Sequence, residues 1–178
     1  YDEKAPVSLI LSSEEACNPC LGKYDEFSDK YTYFNSPFVL KTYVAESDTI
    51  FIGPGESMSL EFVLYDTNKT VLISKELSFN GDTYITDHRF VVNKEVFSDE
   101  SNLEFIWSGG LRPSEQVESE DVQYGSAIVG QGGAIDNVQI TNPEKPTPRT
   151  IYSGQTDWVS IRTKYFLSSI VSESSGSF

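Results

Sequence analysis

The sequence has few positive charges, a single histidine and a single methionine. Its 178 residues carry 13 Lys and Arg against 27 Asp and Glu, which gives a formal net charge of −14. Nucleic-acid binding requires a basic surface, so this composition excludes it as the main function. The same charge disfavours docking on anionic lipid. We interpret the negative charge as a source of solubility outside the cell.

Long apolar runs are also missing. A helix that crosses a bilayer needs about 18 or more consecutive apolar residues, and no such run occurs in the sequence. No signal peptide is visible and the chain begins at Tyr1, so we interpret it as a piece of a longer protein. With 38% hydrophobic and 22% charged residues it is globular rather than disordered. This length suits a single domain over residues 1–178.

Only two cysteines are present, Cys17 and Cys20, and they flank Asn18-Pro19. Such a pair can be redox-active, half of a zinc site or a short disulfide loop. Zinc would need two further ligands, and His88 is distant in sequence. The proline suits a tight turn rather than the helix start of a redox motif. We expect a structural disulfide, worth about 2 kcal/mol in the chain-entropy model, or two idle thiols.

The sequence offers few candidate catalytic or metal-binding residues. With only His88, no Ser-His-Asp set can be assembled with confidence, and the position of this residue inside a predicted strand does not favour a general base. The acidic run from Glu115 to Asp121 lacks the Asp/Asn alternation and the glycine of a calcium loop. We therefore expect no catalytic residue, no metal and no cofactor.

Aromatic, β-branched and alternating apolar residues predict strands. Aromatic residues make up 13% of the chain, and the scarcity of methionine and alanine argues against a helical bundle. One short helix is a candidate at residues 164–171, and the serine-rich tail from Ser172 is expected to fray. In the first third of the chain, strands are predicted at residues 7–11, 30–34, 38–44 and 49–52.

The clearest pattern is a three-stranded meander. Leu60, Phe62 and Leu64 alternate with polar residues, a second apolar strand follows to Phe79, and a third returns over residues 84–92. Asn80-Gly81 between the last two predicted strands is typical of a hairpin turn with positive φ. A sheet with one apolar face needs a covering layer. Because long helical periods are scarce, the sequence predicts a second sheet and a β-sandwich.

Two segments carry a family resemblance. Residues 156–170 alternate around Trp158 and lead into an aromatic pair, and residues 103–112 form a strand that ends in a Gly-Gly turn, followed by a polar loop and Tyr124-Gly125. Over residues 58–170 this order resembles the large periplasmic domain of the bacterial membrane-protein insertase YidC, of the YidC/Oxa/Alb family. The residues that carry the resemblance are Trp107, Gly109, Gly110, Leu111, Trp158, Tyr165 and Phe166.

The resemblance implies a fold and a function. It implies a twisted supersandwich like that of galactose mutarotases, in a fragment that lacks the first and last strands of the domain. It also implies a non-catalytic domain on the periplasmic side of the bacterial inner membrane, in a multi-pass parent protein. The implied partners are nascent membrane proteins and auxiliary components of the Sec translocon.

Contact with these partners is expected at an exposed sheet edge, at a cleft, or in the irregular region 115–149. In that region we expect partner binding at Glu115, Glu118, Tyr124 and Arg149.

Two other functions stay open at this point. A carbohydrate-binding or mutarotase-like domain of a secreted protein would stack sugars on Trp107 or Trp158, although both tryptophans lie among alternating hydrophobic residues, which favours a packing role. A surface adhesion sandwich is the other alternative.

Overall fold

The described part of the chain consists almost entirely of β-strands. The computed structural model describes residues 17, 19–25, 27–42, 49–95, 97, 103–108, 110–112, 123–139 and 150–176. Within them lie eleven strands, and every ladder between the strands is antiparallel. Of these described residues only 123 and 124 have helical backbone. The predicted all-β class with antiparallel sheets is confirmed.

The strands form three sheets. In chain order the strands are β1 (Cys20–Asp25), β2 (Lys30–Phe34), β3 (Val39–Leu40), β4 (Ser57–Tyr65), β5 (Val71–Asn80), β6 (Thr86–Val92), β7 (Leu103–Ile106), β8 (Ser126–Gln131), β9 (Ala134–Gln139), β10 (Thr156–Arg162) and β11 (Leu167–Gly176). The sheet orders are β2-β1-β7, β3-β4-β5-β6 and β11-β10-β8-β9.

The chain divides into two compact units. One comprises residues 19–106 and holds the first two sheets; we call it the sandwich unit. The other comprises residues 1–18 and 107–178 and holds the third sheet; we call it the four-strand unit. The assignment of residues 1–178 to a single domain stays a prediction.

In the sandwich unit the two sheets pack against each other through an apolar core. Leu21 of β1 lies in one buried cluster with Leu64 of β4 and Ile73 of β5. Phe90 of β6 and Phe105 of β7 make an edge contact with ring centroids 5.6 Å apart. Side chains from both layers therefore share one interior, as the predicted sandwich requires. The partly buried residues around the cluster are Phe34, Phe38, Leu72, Phe90, Val92 and Phe97.

The predicted meander is present as β4, β5 and β6. Leu64 is paired with Ile73, and Ile73 with Val92, so apolar residues of all three strands face the core in register. The turn chemistry, however, differs from the prediction. Neither Asn80 nor Gly81 has positive φ, and a loop of residues 81–85 replaces the expected two-residue turn. The prediction of a two-residue turn was therefore wrong, although the hairpin itself is present. Gly81 is needed because its backbone lies against the carbonyl of Gly53, not because of its own φ.

Two hairpins build the four-strand unit. β8 and β9 are joined by Gly132 and Gly133, whose φ values of 57° and 83° suit a tight turn that matches the twist of the strands. β10 and β11 are joined by a turn in which the amide of Thr163 donates to the carbonyl of Phe166 at 2.9 Å. The predicted helix at residues 164–171 is therefore wrong. The predicted fraying from Ser172 is also wrong, because β11 continues to Gly176.

The first third of the chain departs most from the predictions. Strand β1 was not predicted, because its sequence contains Gly22 and Lys23 and lacks alternation. It becomes a strand because β2 and β7 both pair with it. Residues 49–52 are not a strand. β3 covers only Val39–Leu40 of the predicted 38–44, and the strand predicted at 7–11 lies outside the described residues.

Candidate functional site

The cysteine pair forms a disulfide. Cys17 and Cys20 are bonded to each other, and Cys17 is almost completely buried. The amide of Ser108 donates to the carbonyl of Cys17 at 2.8 Å, and the amide of Cys17 donates to the Ser108 hydroxyl at 2.9 Å. This is the structural disulfide that the sequence analysis allowed. Because both thiols are oxidised, they are not available as metal-binding thiolates in this state.

Trp158 packs against the third sheet. Its partners across the ladder are Gly130 on β8 and Val171 on β11. A methyl group at Gly130 would overlap the indole ring, so the absence of a side chain there creates the space for the tryptophan. Ile135, the partner of Gly130 on β9, and Val171 are each 70% exposed. The indole therefore packs on the sheet within a row of apolar residues.

Three more residues of the family resemblance, Trp107, Gly110 and Leu111, lie in the described part of the chain. The indole nitrogen Nε1 of Trp107 is buried without a hydrogen-bond partner. Gly110 has a φ of 64°, and Leu111, which follows it, is partly buried. Gly109 lies outside the described residues.

Near the β10–β11 turn, the structure brings together Tyr124, which was expected to bind partners, and Tyr165, which belongs to the family resemblance. The Lys164 Nζ lies 5.0 Å from the ring centroid of Tyr165 and 5.9 Å from that of Tyr124. Both tyrosines are exposed. Phe166 donates its amide to the Thr163 hydroxyl at 3.2 Å and helps close the turn. The result is an exposed aromatic and cationic surface, which we call the tyrosine-lysine surface (Tyr124, Lys164, Tyr165).

Three of the four residues expected to bind partners lie outside the described residues. These are Glu115, Glu118 and Arg149. Tyr124 is the one that the structure places.

Sequence analysis missed a charged row on the sheet β3-β4-β5-β6, on the face opposite Leu64 and Ile73. Glu61 and Glu76 face each other across the ladder, with Lys41 4.0 Å from Glu61 and Arg89 4.0 Å from Glu76. A shallow cavity of about 240 Å³ lies at this row, lined by Glu61, Ser74, Glu76, Arg89 and Val91. Exposed ion pairs of this kind contribute only about 0–1 kcal/mol each. The register of the ladder, which brings these charges together, could not be read from the sequence.

A metal centre is not found in the described part of the chain, where no group of three or more His, Cys, Asp or Glu side chains is placed to hold an ion.

His88 faces the core of the sandwich unit. It lies on β6, half-buried, with its ring 6.2 Å from that of Phe105 in an edge contact. Its Nδ1 is buried without a hydrogen-bond partner. Lys75 on β5 is also half-buried, and its Nζ donates to the carbonyl of Pro19 at 3.1 Å and lies 5.4 Å from the Phe90 ring centroid.

These surroundings shift both pKa values. Burial lowers the pKa of His88 below its ordinary 6.5, and the charge of Lys75 lowers it further, while Asp87 acts in the opposite direction. Burial also lowers the pKa of Lys75. Both groups are therefore held towards their neutral forms, since a low-dielectric environment disfavours charge.

We expect His88 to make the stability of the chain fall in acid. Its folded pKa is lower than its unfolded pKa, so the unfolded state binds the proton more tightly. The stabilisation is complete above the unfolded pKa of about 6.5 and is lost progressively as the pH falls below that value and through the lower pKa of the folded state. Urea unfolding of the parent chain and His88→Phe at pH 7.5 and 5.5 measures this effect. Between pH 7.5 and pH 5.5, we expect the free energy of unfolding to decrease less in His88→Phe than in the parent chain. Equal decreases in the two proteins would contradict the lowered pKa of His88.

Comparison with known proteins identifies the relatives of the chain. A membrane protein insertase YidC from Chlorobaculum tepidum is 29% identical over 119 residues, which is 65% of this chain and 20% of the relative. The YidC of Prosthecochloris aestuarii is 29% identical over 137 residues, which is 75% of this chain and 22% of the relative. That of Chlorobaculum parvum is 26% identical over 121 residues, 66% of this chain and 20% of the relative.

The predicted resemblance to YidC is confirmed. The chain spans about a fifth of the length of these YidC relatives. No family model matches it, and no solved structure matches it. The described residues include no helix with the length and apolar character needed to cross a membrane.

Proposed function

We propose that this chain is a periplasmic β-sandwich domain of a YidC-like membrane protein insertase. In this proposal the parent protein lies in the bacterial inner membrane, and the domain assists insertion and folding by contacting nascent membrane proteins and auxiliary components of the Sec translocon. The observation that carries the proposal is the similarity to YidC insertases over about two thirds of the chain.

Two physical features support the periplasmic assignment. The Cys17–Cys20 disulfide suits an oxidising compartment, where such bonds persist. The net charge of −14 favours solubility and disfavours association with anionic headgroups. Both features suit a domain that extends away from the bilayer into the periplasm.

The proposed role is non-catalytic. The environment of His88 supports this part of the proposal, because its half-buried ring contacts Phe105 and its pKa is lowered by burial and by Lys75. A general base instead needs access to a substrate proton within hydrogen-bond distance.

The tyrosine-lysine surface is the proposed contact site for Sec components. Tyr124 and Tyr165 are exposed, and Lys164 lies near both rings. Tyrosine is enriched at protein interfaces because it combines a large apolar area with a polar end. Glu115, Glu118 and Arg149, selected from the sequence alone, remain proposed members of the same contact region.

Site-specific photo-crosslinking in the full-length parent protein tests this function. A photoreactive residue at position 124 is expected to yield crosslinks to a Sec auxiliary component or to a nascent membrane protein in cells. The matched control is position 27, where Phe27 is exposed on the turn after β1. Equal crosslinking at both positions would contradict a specific contact at Tyr124. Protease added to spheroplasts should cleave this domain, and protection there would contradict the periplasmic location.

A further inference from the structure

Two adjoining loops of the sandwich unit expose four large apolar side chains. Residues 50–56 lead into β4, and residues 81–85 connect β5 to β6. The exposed fractions are 40% for Ile50, 89% for Phe51, 108% for Tyr84 and 70% for Ile85. These side chains are not held in the core of the unit. Large apolar side chains grouped on a protein surface mark an interaction site. We call these two segments the apolar loop pair.

The two loops are held together by backbone contacts. The amide of Gly81 donates to the carbonyl of Glu56 at 3.0 Å. The amide of Gly55 donates to both carboxylate oxygens of Asp82, at 3.1 and 3.0 Å. A methyl group at Gly81 would overlap the carbonyl of Gly53, so the two loops lie in direct contact.

Because the loop backbones are already ordered by these contacts, little backbone entropy is lost when a partner binds.

The charges of the loop pair have one sign. Residues 50–56 and 81–85 contain Glu56 and Asp82 and no lysine or arginine. The Asp82 carboxylate lies at the contact between the loops, since it accepts from the amide of Gly55. The Glu56 carboxylate accepts from the amide of Gly53 at 2.8 Å within its own loop. Carboxylates beside apolar side chains repel anionic headgroups and attract lysine and arginine. The charge therefore favours a basic protein segment over a membrane surface.

We propose that the apolar loop pair binds a protein segment in which a short apolar stretch is flanked by lysine or arginine. Phe51 and Tyr84 contact the apolar stretch, and Asp82 and Glu56 attract the basic flanks. Exposed aromatic side chains on a rigid support are the type of residue that dominates binding energy in interfaces. This inference rests on the proposed function, because it assigns a surface and a chemistry to the substrate contacts of an insertase domain.

Fluorescence anisotropy with a defined peptide tests the proposal on the whole 178-residue chain. The probe is a labelled peptide with eight alternating leucines and alanines and two lysines at each end; a second peptide has glutamates in place of the lysines. We expect the chain to bind the lysine peptide about tenfold or more tightly than the glutamate peptide, since like charges disfavour association.

Loop variants locate the site. Phe51→Ser combined with Tyr84→Ser is expected to weaken binding of the lysine peptide about tenfold or more, because two aromatic anchors are lost. Phe27→Ser, which removes a 103% exposed aromatic from a different turn, is the matched control and should retain affinity within about twofold. Thermal unfolding should show unchanged stability for both variants, since all three side chains are exposed.

Charge variants test the second half of the proposal. Asp82→Asn and Glu56→Gln keep an oxygen that can accept the hydrogen bonds from Gly55 and Gly53. The double variant is expected to bind the lysine peptide about fivefold more weakly and to lose most of the salt dependence. Affinity equal to that of the parent chain would overturn the electrostatic part.

The outcomes separate this site from the proposed function. Peptide binding that is unaffected by the Phe51/Tyr84 double variant would overturn the loop site and leave the crosslinking result untouched. Binding that the loop variant abolishes, in a protein without specific crosslinks at Tyr124, would support the loop site and contradict the proposed Sec contact. Binding of neutral phosphatidylcholine vesicles that is lost in the same loop variant, without peptide binding, would assign the loops to a membrane and overturn the proposal.

Discussion

Replacing Ile73 by alanine is expected to lower the free energy of unfolding by about 2–5 kcal/mol. Ile73 is completely buried, on strand β5 between β4 and β6. It pairs with Leu64 and Val92 and shares a cluster with Leu21 of the opposite sheet. Truncation removes the transfer free energy of three carbon atoms and leaves a cavity that two hydrogen-bonded neighbouring strands cannot readily close.

Urea unfolding followed by circular dichroism measures the effect of Ile73→Ala. Ile73→Val, which removes one methylene, should cost about 0.5–1.5 kcal/mol and serves as the graded control. Val171→Ala, at a 70% exposed position of the four-strand unit, should change stability by no more than about 0.5 kcal/mol. An Ile73→Ala loss as small as that of Val171→Ala would contradict the two-sheet core.

Gly81→Ala is expected to destabilise the chain by about 1–3 kcal/mol and to separate the apolar loop pair. The added methyl would overlap the carbonyl of Gly53 and lie 3.1 Å from that of Ile52, and backbone atoms cannot move aside as a flexible side chain does. Gly81 has no positive φ, so the cost arises from the close contact and not from its own backbone conformation.

Gly53→Ala is the matched control for Gly81→Ala. It lies in the same loop pair, also without positive φ, and a methyl there meets only the Glu56 carboxyl group, at 3.2 and 3.5 Å. We expect Gly53→Ala to retain most of the stability and of the binding of the lysine peptide, whereas Gly81→Ala loses both. Comparable unfolding curves for the two variants would show that the loop contact does not constrain the chain.

The two proposed contact surfaces differ in chemistry. The tyrosine-lysine surface presents two exposed rings and a cation, whereas the apolar loop pair presents apolar side chains beside carboxylates. The crosslinking at position 124 and the variants of the apolar loop pair test the two surfaces independently.

Local patterns predicted much of the fold. Alternation with a period of two residues follows from the strand backbone itself, so β4, β5 and β10 could be recognised from their own residues. The all-β class and the meander followed from these strands, and the resemblance to YidC rested on the order of residues around Trp107 and Trp158.

The sequence alone therefore determined the all-β class, the antiparallel meander and the resemblance to YidC, because each depends on residues close together in the chain. Only the tertiary structure decided that β1 is the central strand of its sheet, that Trp158 rests on Gly130 and that Gly81 contacts Gly53. These features depend on the register between strands and on contacts between residues distant in sequence, such as Trp158 with Gly130 and Gly81 with Gly53, each pair 28 positions apart. No periodicity within a short segment encodes such contacts, and they also produce the apolar loop pair.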